Sequence, residues 1–269
     1  DIKSNKTDRT RMKTPFKCIF CNSAENGFTS EEHIVPHSLG NDILILEKGW
    51  VCDVCNNICS AFESRVINHS MLGAERAMLG VITKKGKPAR SKYAKIHWNA
   101  EPHMEKNIIS IDKQGICKVP IFSNKIIIHI HDKYNYDVAK LVLKIGVEIL
   151  SKAYYKDSSL IDKLTEAKKH IIEDNNANWP YFIIRNGNIQ KHILSIFETT
   201  PEDHKYITSL GIDIFFHEIG NDIILFFFYG HLKIGVSLTS REVKWIQILD
   251  YWELTYVGCP IAFKEYSNV

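Results

Sequence analysis

Two C-x-x-C pairs, Cys18-Ile-Phe-Cys21 and Cys52-Asp-Val-Cys55, bracket the stretch Glu32-His33-Ile-Val-Pro36-His37-Ser-Leu-Gly-Asn41, and Asn56 follows the last cysteine directly. Thiolates three residues apart reach one ion across a tight turn. Two such pairs complete a tetrahedral site with Zn–S distances of about 2.3 Å. A closed four-cysteine site leaves no open coordination position, so the spacing asks for a structural zinc. The 30 residues between Cys21 and Cys52 exceed the usual ribbon spacing, and an inserted hairpin would fill them. The histidine and its neighbours ask for a divalent-metal active site. Neutral imidazole takes a proton near pH 7. A carboxylate and an amide are hard oxygen ligands suited to Mg²⁺ or Mn²⁺.

Local elements must hold these groups. Glu32 to Val35 is β-prone and ends at Pro36, which cannot donate to a ladder. Ser38-Leu-Gly-Asn41 has turn chemistry. Ile43 to Leu46, continued by Trp50-Val51, reads as a second strand. A helix is predicted from about Asp53 to His69, with Ile58, Ala61, Phe62 and Val66 on one side. Asn56 and Glu63, seven residues apart, lie together on the other side and point to a cleft. Cys59, Cys117 and Cys259 read as uninvolved thiols, and His37 as a residue beside the motif rather than in it. Glu63 and Arg65 are candidate supporting or phosphate contacts.

Strand, turn, strand and helix around these motifs resemble the HNH endonucleases of the ββα-metal class, specifically the zinc-bearing subgroup with two CxxC pairs. The resemblance covers residues 17–65, just under a fifth of the chain. It implies that His33 is the general base activating water. It implies that Glu32 and Asn56 hold the catalytic Mg²⁺ or Mn²⁺. Asn41 becomes the middle asparagine of the motif. Glu32 stands where Asp is common in the family. The implied activity is hydrolysis of phosphodiester bonds in DNA.

The rest of the chain frames that module. With 45% apolar and 24% charged residues among 269, the protein is expected to be folded and not disordered. No apolar run reaches the roughly 20 residues that span a bilayer, so no membrane role is expected. Residues 1–16 are a basic lead-in without an apolar signal core. Seven scattered and paired cysteines suit a reducing compartment, hence a cytoplasmic location. The net charge of +3 is mild, so contact with nucleic acid depends on where the cations sit. Lys84, Lys85, Lys87, Arg90, Lys92 and Lys95 place six cations within twelve residues with no acid, and Gly86 and Pro88 suggest a loop.

The fold class is α+β. The zinc-stapled HNH module is assigned to 17–80, followed by a larger mixed α+β domain, 81–269, for target recognition or regulation. That domain is expected to have two long helices and a strand-rich C-terminal part. Asp137 to Tyr155 reads as a helix with a narrow polar stripe of Lys140, Lys144, Glu148 and Lys152. A second helix runs from a capping box at Ser159-Leu-Ile-Asp162 to about Glu173. Strands are expected at 108–111, 125–131 and 181–185. Turns are expected at Gly220-Asn221 and Gly230-His231, and His129 and His131 on a half-exposed strand face. Three functions follow. One is an HNH endonuclease acting on double-stranded DNA, with restriction or anti-phage defence as its setting by analogy and two copies for double-strand cutting. A second is a non-catalytic zinc module binding nucleic acid. A third is a nuclease effector switched on by a ligand that the C-terminal domain senses.

Overall fold

The computed structural model describes residues 17–93, 96–100, 109–111, 134–173, 178–183 and 210–245. The lead-in 1–16, the strand expected at 125–131 with His129 and His131, and Lys95, Cys117 and Cys259 lie outside the described residues.

Two short strands, β1 (Glu32–His33) and β2 (Ile45–Leu46), pair antiparallel with Glu32 opposite Leu46 and His33 opposite Ile45. Both are shorter than their sequence suggests. Pro36 stops the first. Gly49, at φ 101°, turns the chain before Trp50, whose ring meets Tyr155 edge to face at 5.9 Å instead of extending β2. A single 3-10 turn, His37–Leu39, leads to Gly40 at φ 95°, a left-handed position where L side chains are strained.

Helix α1 (Asp53–His69) follows with Cys52 as its N-cap. Its buried face is Cys55, Cys59, Phe62, Val66 and Ile67. The expected stripe is therefore rotated: Ala61 is exposed and Ile58 only half-buried, because the cysteine at position 55 must face inward. Ser70 ends α1 and starts α2 (Met71–Met78). Its hydroxyl donates to the Val66 carbonyl at 2.8 Å and accepts from the Leu72 N–H at 3.2 Å.

A three-stranded antiparallel sheet comes next, in the order β3 (Arg90–Tyr93), β4 (Ile96–Ala100), β5 (Ile109–Ile111). The long helix α3 (Asn135–Ala153) packs against α1 and against α5 (Thr165–Ile172). Before α5, a short helix α4 (Ser158–Lys163) is capped by Asp157, whose carboxylate accepts from the N–H groups of Ser159 and Leu160. The predicted second helix is thus two pieces broken at Leu164, with its cap two residues earlier than the capping-box reading.

The C-terminal sheet is antiparallel, in the order β6 (Tyr181–Ile183), β9 (Leu232–Ser237), β8 (Asp222–Tyr229), β7 (Ile212–Ile219). The hairpin turns fall at Gly220-Asn221 and Gly230-His231 as expected. Strand β8 reads as an unbroken apolar run because both its faces are covered. Leu225, Phe227 and Tyr229 enter the main core, while Ile224 and Phe226 pack with Phe182, Phe215 and Trp245 on the other side.

That main core is continuous. Phe62 and Val66 of α1, Val142 and Ile145 of α3, and Leu225 and Phe227 of β8 belong to it together. The polar stripe of α3 faces α1, the β1–β2 region and, at Lys140, the end of α5, not water. Lys144 and Glu148 are fully buried. Lys152 donates to the Ile45 carbonyl at 3.3 Å, and Lys140 donates to the Glu173 carbonyl. The chain is mixed α+β, with a cysteine cluster in the N-terminal region and a strand-rich C-terminal part. No helix among the described residues is long and apolar enough to cross a membrane.

Candidate active site

Cys18, Cys21, Cys52 and Cys55 come together with their sulfur atoms all within 4.8 Å of one another. The first pair sits on a knuckle that Asn22 closes at φ 57°; the second sits on the first turn of α1. The Cys52 N–H donates to the Cys18 sulfur at 3.4 Å, and the Cys55 N–H donates to the Cys52 sulfur at 3.5 Å. Asp53 buttresses the knuckle from outside the cluster by accepting from the N–H groups of Thr29 and Ser30 at 3.0 and 3.2 Å. Four soft sulfur donors in this compass can hold a metal ion. Cys59 is buried outside the cluster.

On the other side of α1 lies a cleft of about 300 Å³. Glu32 and His33 of β1, Asn56 and Glu63 of α1, Arg76 of α2 and Lys84 from the turn before β3 all line it. The helical-wheel pairing of Asn56 with Glu63 therefore holds, and Ser60 between them donates to the Asn56 amide oxygen at 3.4 Å. His37 also lines the cleft. Its ring stands edge-on to His33 at 5.6 Å, and its Nε2 is 2.7 Å from Asp42 Oδ1.

His33 is held neutral to lower pH than an ordinary histidine. Partial burial is the main cause, reinforced by the nearby charges of Lys84 and His37 and opposed by Glu32. The imidazole is thus available as a proton acceptor at neutral pH.

Asn41 is not in the cleft. Only 1% exposed, it staples the loop joining the two strands. Its amide nitrogen donates to the carbonyls of Val35 (2.7 Å) and Leu44 (3.1 Å), and its oxygen accepts from the N–H groups of Ile43 and Leu44. The loop that follows His33 out of β1 is stapled by this side chain.

The least expected feature is Lys144. Its ammonium comes from α3, far along the chain, to the back of the β1 strand. It lies 2.6 Å from Glu32 Oε1, 2.9 Å from Glu63 Oε1 and 3.3 Å from Glu148 Oε2. It also donates to the His33 carbonyl at 2.8 Å. Burial alone would lower its pKa; Glu148, Glu63 and Glu32 outweigh that and keep it above the usual lysine range. Burial raises both Glu63 and Glu148 despite Lys144, and Glu148, wholly buried and farthest from the ammonium, keeps its proton most firmly.

Arg65, a candidate phosphate contact, is committed elsewhere: its Nε and Nη2 both lie 2.7 Å from the Asp137 carboxylate, a two-pronged tie between α1 and α3. The basic stretch is partly a strand. Lys84, Lys85 and Lys87 are exposed around a turn at Gly86, while Arg90 and Lys92 share the exposed face of β3. Of these five, Lys84 lines the cleft.

Sequence reasoning missed Lys144, Glu148 and Arg76 as site residues. The i, i+4 pair of Lys144 and Glu148 was visible as a helix stripe, but a stripe does not say what it faces. Arg76 had one signal, a charged pair, Glu75-Arg76, inside the otherwise apolar Met71-Leu-Gly-Ala and Ala-Met78.

Residues 18–71 match the family model for HNH endonucleases. No curated protein and no solved structure matches the chain. The cysteine cluster, β1, β2, α1 and the start of α2 fall inside that match; Arg76, Lys84 and Lys144 fall outside it.

Proposed function

We propose that the protein is a metal-dependent HNH endonuclease that hydrolyses phosphodiester bonds in DNA. The observation that carries this is one cleft where His33 meets Glu32, Asn56 and Glu63, four residues that all lie inside the HNH match. His33 takes the proton of the attacking water. Asn41 holds the loop so that the imidazole faces the cleft, and Lys144 fixes the Glu32 carboxylate and the His33 carbonyl from behind. The donor set of carboxylate and amide oxygens fits Mg²⁺ or Mn²⁺ held by Glu32 and Asn56. That ion supplies a Lewis acid for the phosphoryl oxygen and the leaving 3′-oxygen. The test is incubation of the full chain with plasmid, linear and single-stranded DNA, with Mg²⁺, Mn²⁺ or EDTA. Metal-dependent cleavage is expected; DNA left intact with every metal would leave a non-catalytic zinc module. Double-strand cutting by one cleft per chain calls for a homodimer, which would give linear product without accumulating nicked circles. Restriction or anti-phage defence is the proposed setting, by analogy with other HNH modules.

A ligand-switched nuclease is the second reading. It is favoured by Lys144, through which a helix outside the HNH match grips the strand bearing Glu32 and His33. Activity appearing only with an added small molecule would select it.

The four cysteines are assigned a structural zinc. One zinc per chain is expected by elemental analysis. Cys52→Ala should lose it and melt the N-terminal region, because metal binding there is folding free energy. Native protein free of zinc, or a Cys52→Ala variant with unchanged stability, would remove the assignment.

The exposed cations Lys85, Lys87, Arg90 and Lys92, with Lys84 at the cleft, are assigned to backbone phosphates, which carry no sequence information. Lys95 completes that proposed set. A Lys85→Gln, Lys87→Gln, Lys92→Gln triple variant should bind all DNA sequences more weakly. The slope of log K against log salt should fall by up to about 0.9 for each phosphate no longer neutralised. Retained affinity and slope would show that these lysines face only solvent.

A further inference from the structure

We infer that Arg76 is a phosphate-binding residue of the cleft, gripping the scissile phosphodiester with its guanidinium. Arg76 is only 6% exposed, yet it lines the cleft together with His33 and Lys84. Its Nε has no hydrogen-bond partner, and no carboxylate pairs with it among the described residues. Glu31, which lines the cleft too, is exposed to solvent and makes no ion pair with Arg76; the buried acids nearby are taken. Glu75, its neighbour in α2, accepts from the His231 N–H at 2.7 Å and lies 2.8 Å from its Nδ1. Glu32, Glu63 and Glu148 are gathered on Lys144.

A buried cation without a counter-ion is costly, and an apolar side chain would fill the same space without that cost. Arginine nevertheless stays charged: burial lowers its pKa, but from a starting value far above neutrality. The missing partner must therefore be an anion that enters the cleft. A guanidinium offers a planar fork of donors that matches two oxygens of a phosphate, which a lysine ammonium does not. Lys84 lines the same cleft, so a second cation faces the anion that Arg76 grips, alongside the carboxylates of Glu31, Glu32 and Glu63. Because Arg76 and His33 line one cleft, the phosphate held by the first is the one attacked by water that the second activates. Such an interaction strengthens as charge develops on the phosphoryl oxygens.

This inference rests on the nuclease reading, and the experiment separates the two. Wild type, Arg76→Met and Arg76→Lys are assayed for plasmid cleavage, melting temperature and pH profile. In metal-free buffer, the Arg76 Nε–H resonance is followed while a short DNA duplex, and separately inorganic phosphate, is added. Arg76→Met should melt no lower than wild type, yet cleave about 10²-fold more slowly, the effect of losing one preorganised donor. The acid limb of its pH profile should keep its place, since Arg76 is not among the main charges that shift His33. Arg76→Lys should recover only part of the loss. The resonance should shift with both duplex and phosphate. If Arg76→Met cleaves like wild type, the inference falls and the nuclease reading stands. If wild type cleaves nothing, the nuclease reading falls, and the resonance still decides whether Arg76 binds phosphate. A resonance that ignores both ligands makes Arg76 a core residue only.

Discussion

His33→Ala is expected to lose about 10²- to 10⁴-fold in cleavage rate, the usual worth of a positioned general base. Zinc content and DNA affinity should stay nearly as they are, because the ring ligates none of the cysteine cluster and carries no charge at neutral pH. The pH profile gives an independent check. The base is active only when neutral, so activity rises as pH rises through the folded-state pKa. Burial first, then Lys84 and His37, set that pKa below the ordinary 6.5. The acid limb of the rate profile should therefore lie below pH 6.5. Lys84→Gln should move the limb upward, since it removes a cation that disfavours the imidazolium. A His33→Ala protein that cleaves at the wild-type rate would take His33 out of the mechanism. An acid limb well above that of an ordinary histidine would mean that another group limits the rate.

Lys144→Met is expected to cost about 3–5 kcal/mol of stability, the cost of stripping the counter-ion from buried charge. That is a large share of the roughly 5–15 kcal/mol by which domains are stable. It leaves the carboxylates of Glu32, Glu63 and Glu148 together with no cation among them. The sign with pH follows. Glu63 and Glu148 already have raised pKa values in the folded protein, and losing Lys144 raises them further. The folded state then binds more protons than the unfolded one, so the variant loses stability as pH rises from about 5 to 8. Urea unfolding at both ends of that range measures it. Adding Glu148→Leu should restore part of the loss, because one buried carboxylate fewer is left unpaired. A single variant as stable as wild type at the alkaline end would show that the ammonium is not what neutralises the cluster.

Some of this site is written locally. The two C-x-x-C pairs sit at sequence spacings that constrain backbone geometry, so the knuckle and the N-cap turn of α1 bring the four sulfurs together. Helical period alone places Asn56 and Glu63 on one face, and α1 spans Asp53–His69 as its pattern predicts. Glycine-bearing turns at Gly220-Asn221 and Gly230-His231 set the C-terminal hairpins for the same reason: turn chemistry acts over a few residues.

What tertiary structure alone decided is which faces meet. A stripe of Lys140, Lys144, Glu148 and Lys152 has the same period whether it meets water or carboxylates, so the pattern on α3 could not reveal that Lys144 closes the back of the His33 strand. The rotation of the buried face of α1 away from Ala61 depended on where the cysteine cluster pulled Cys55. Asn41 was legible as a motif residue, but its work as a loop staple came from four backbone partners that only the folded loop brings within reach. Arg76 lies past the end of the HNH match, and its place in the cleft with His33 is set by the reversal at Ser70, where one hydroxyl ends α1 and begins α2. Periodicity describes one element at a time; the charges that meet across this cleft belong to elements whose approach is fixed by a shared apolar core.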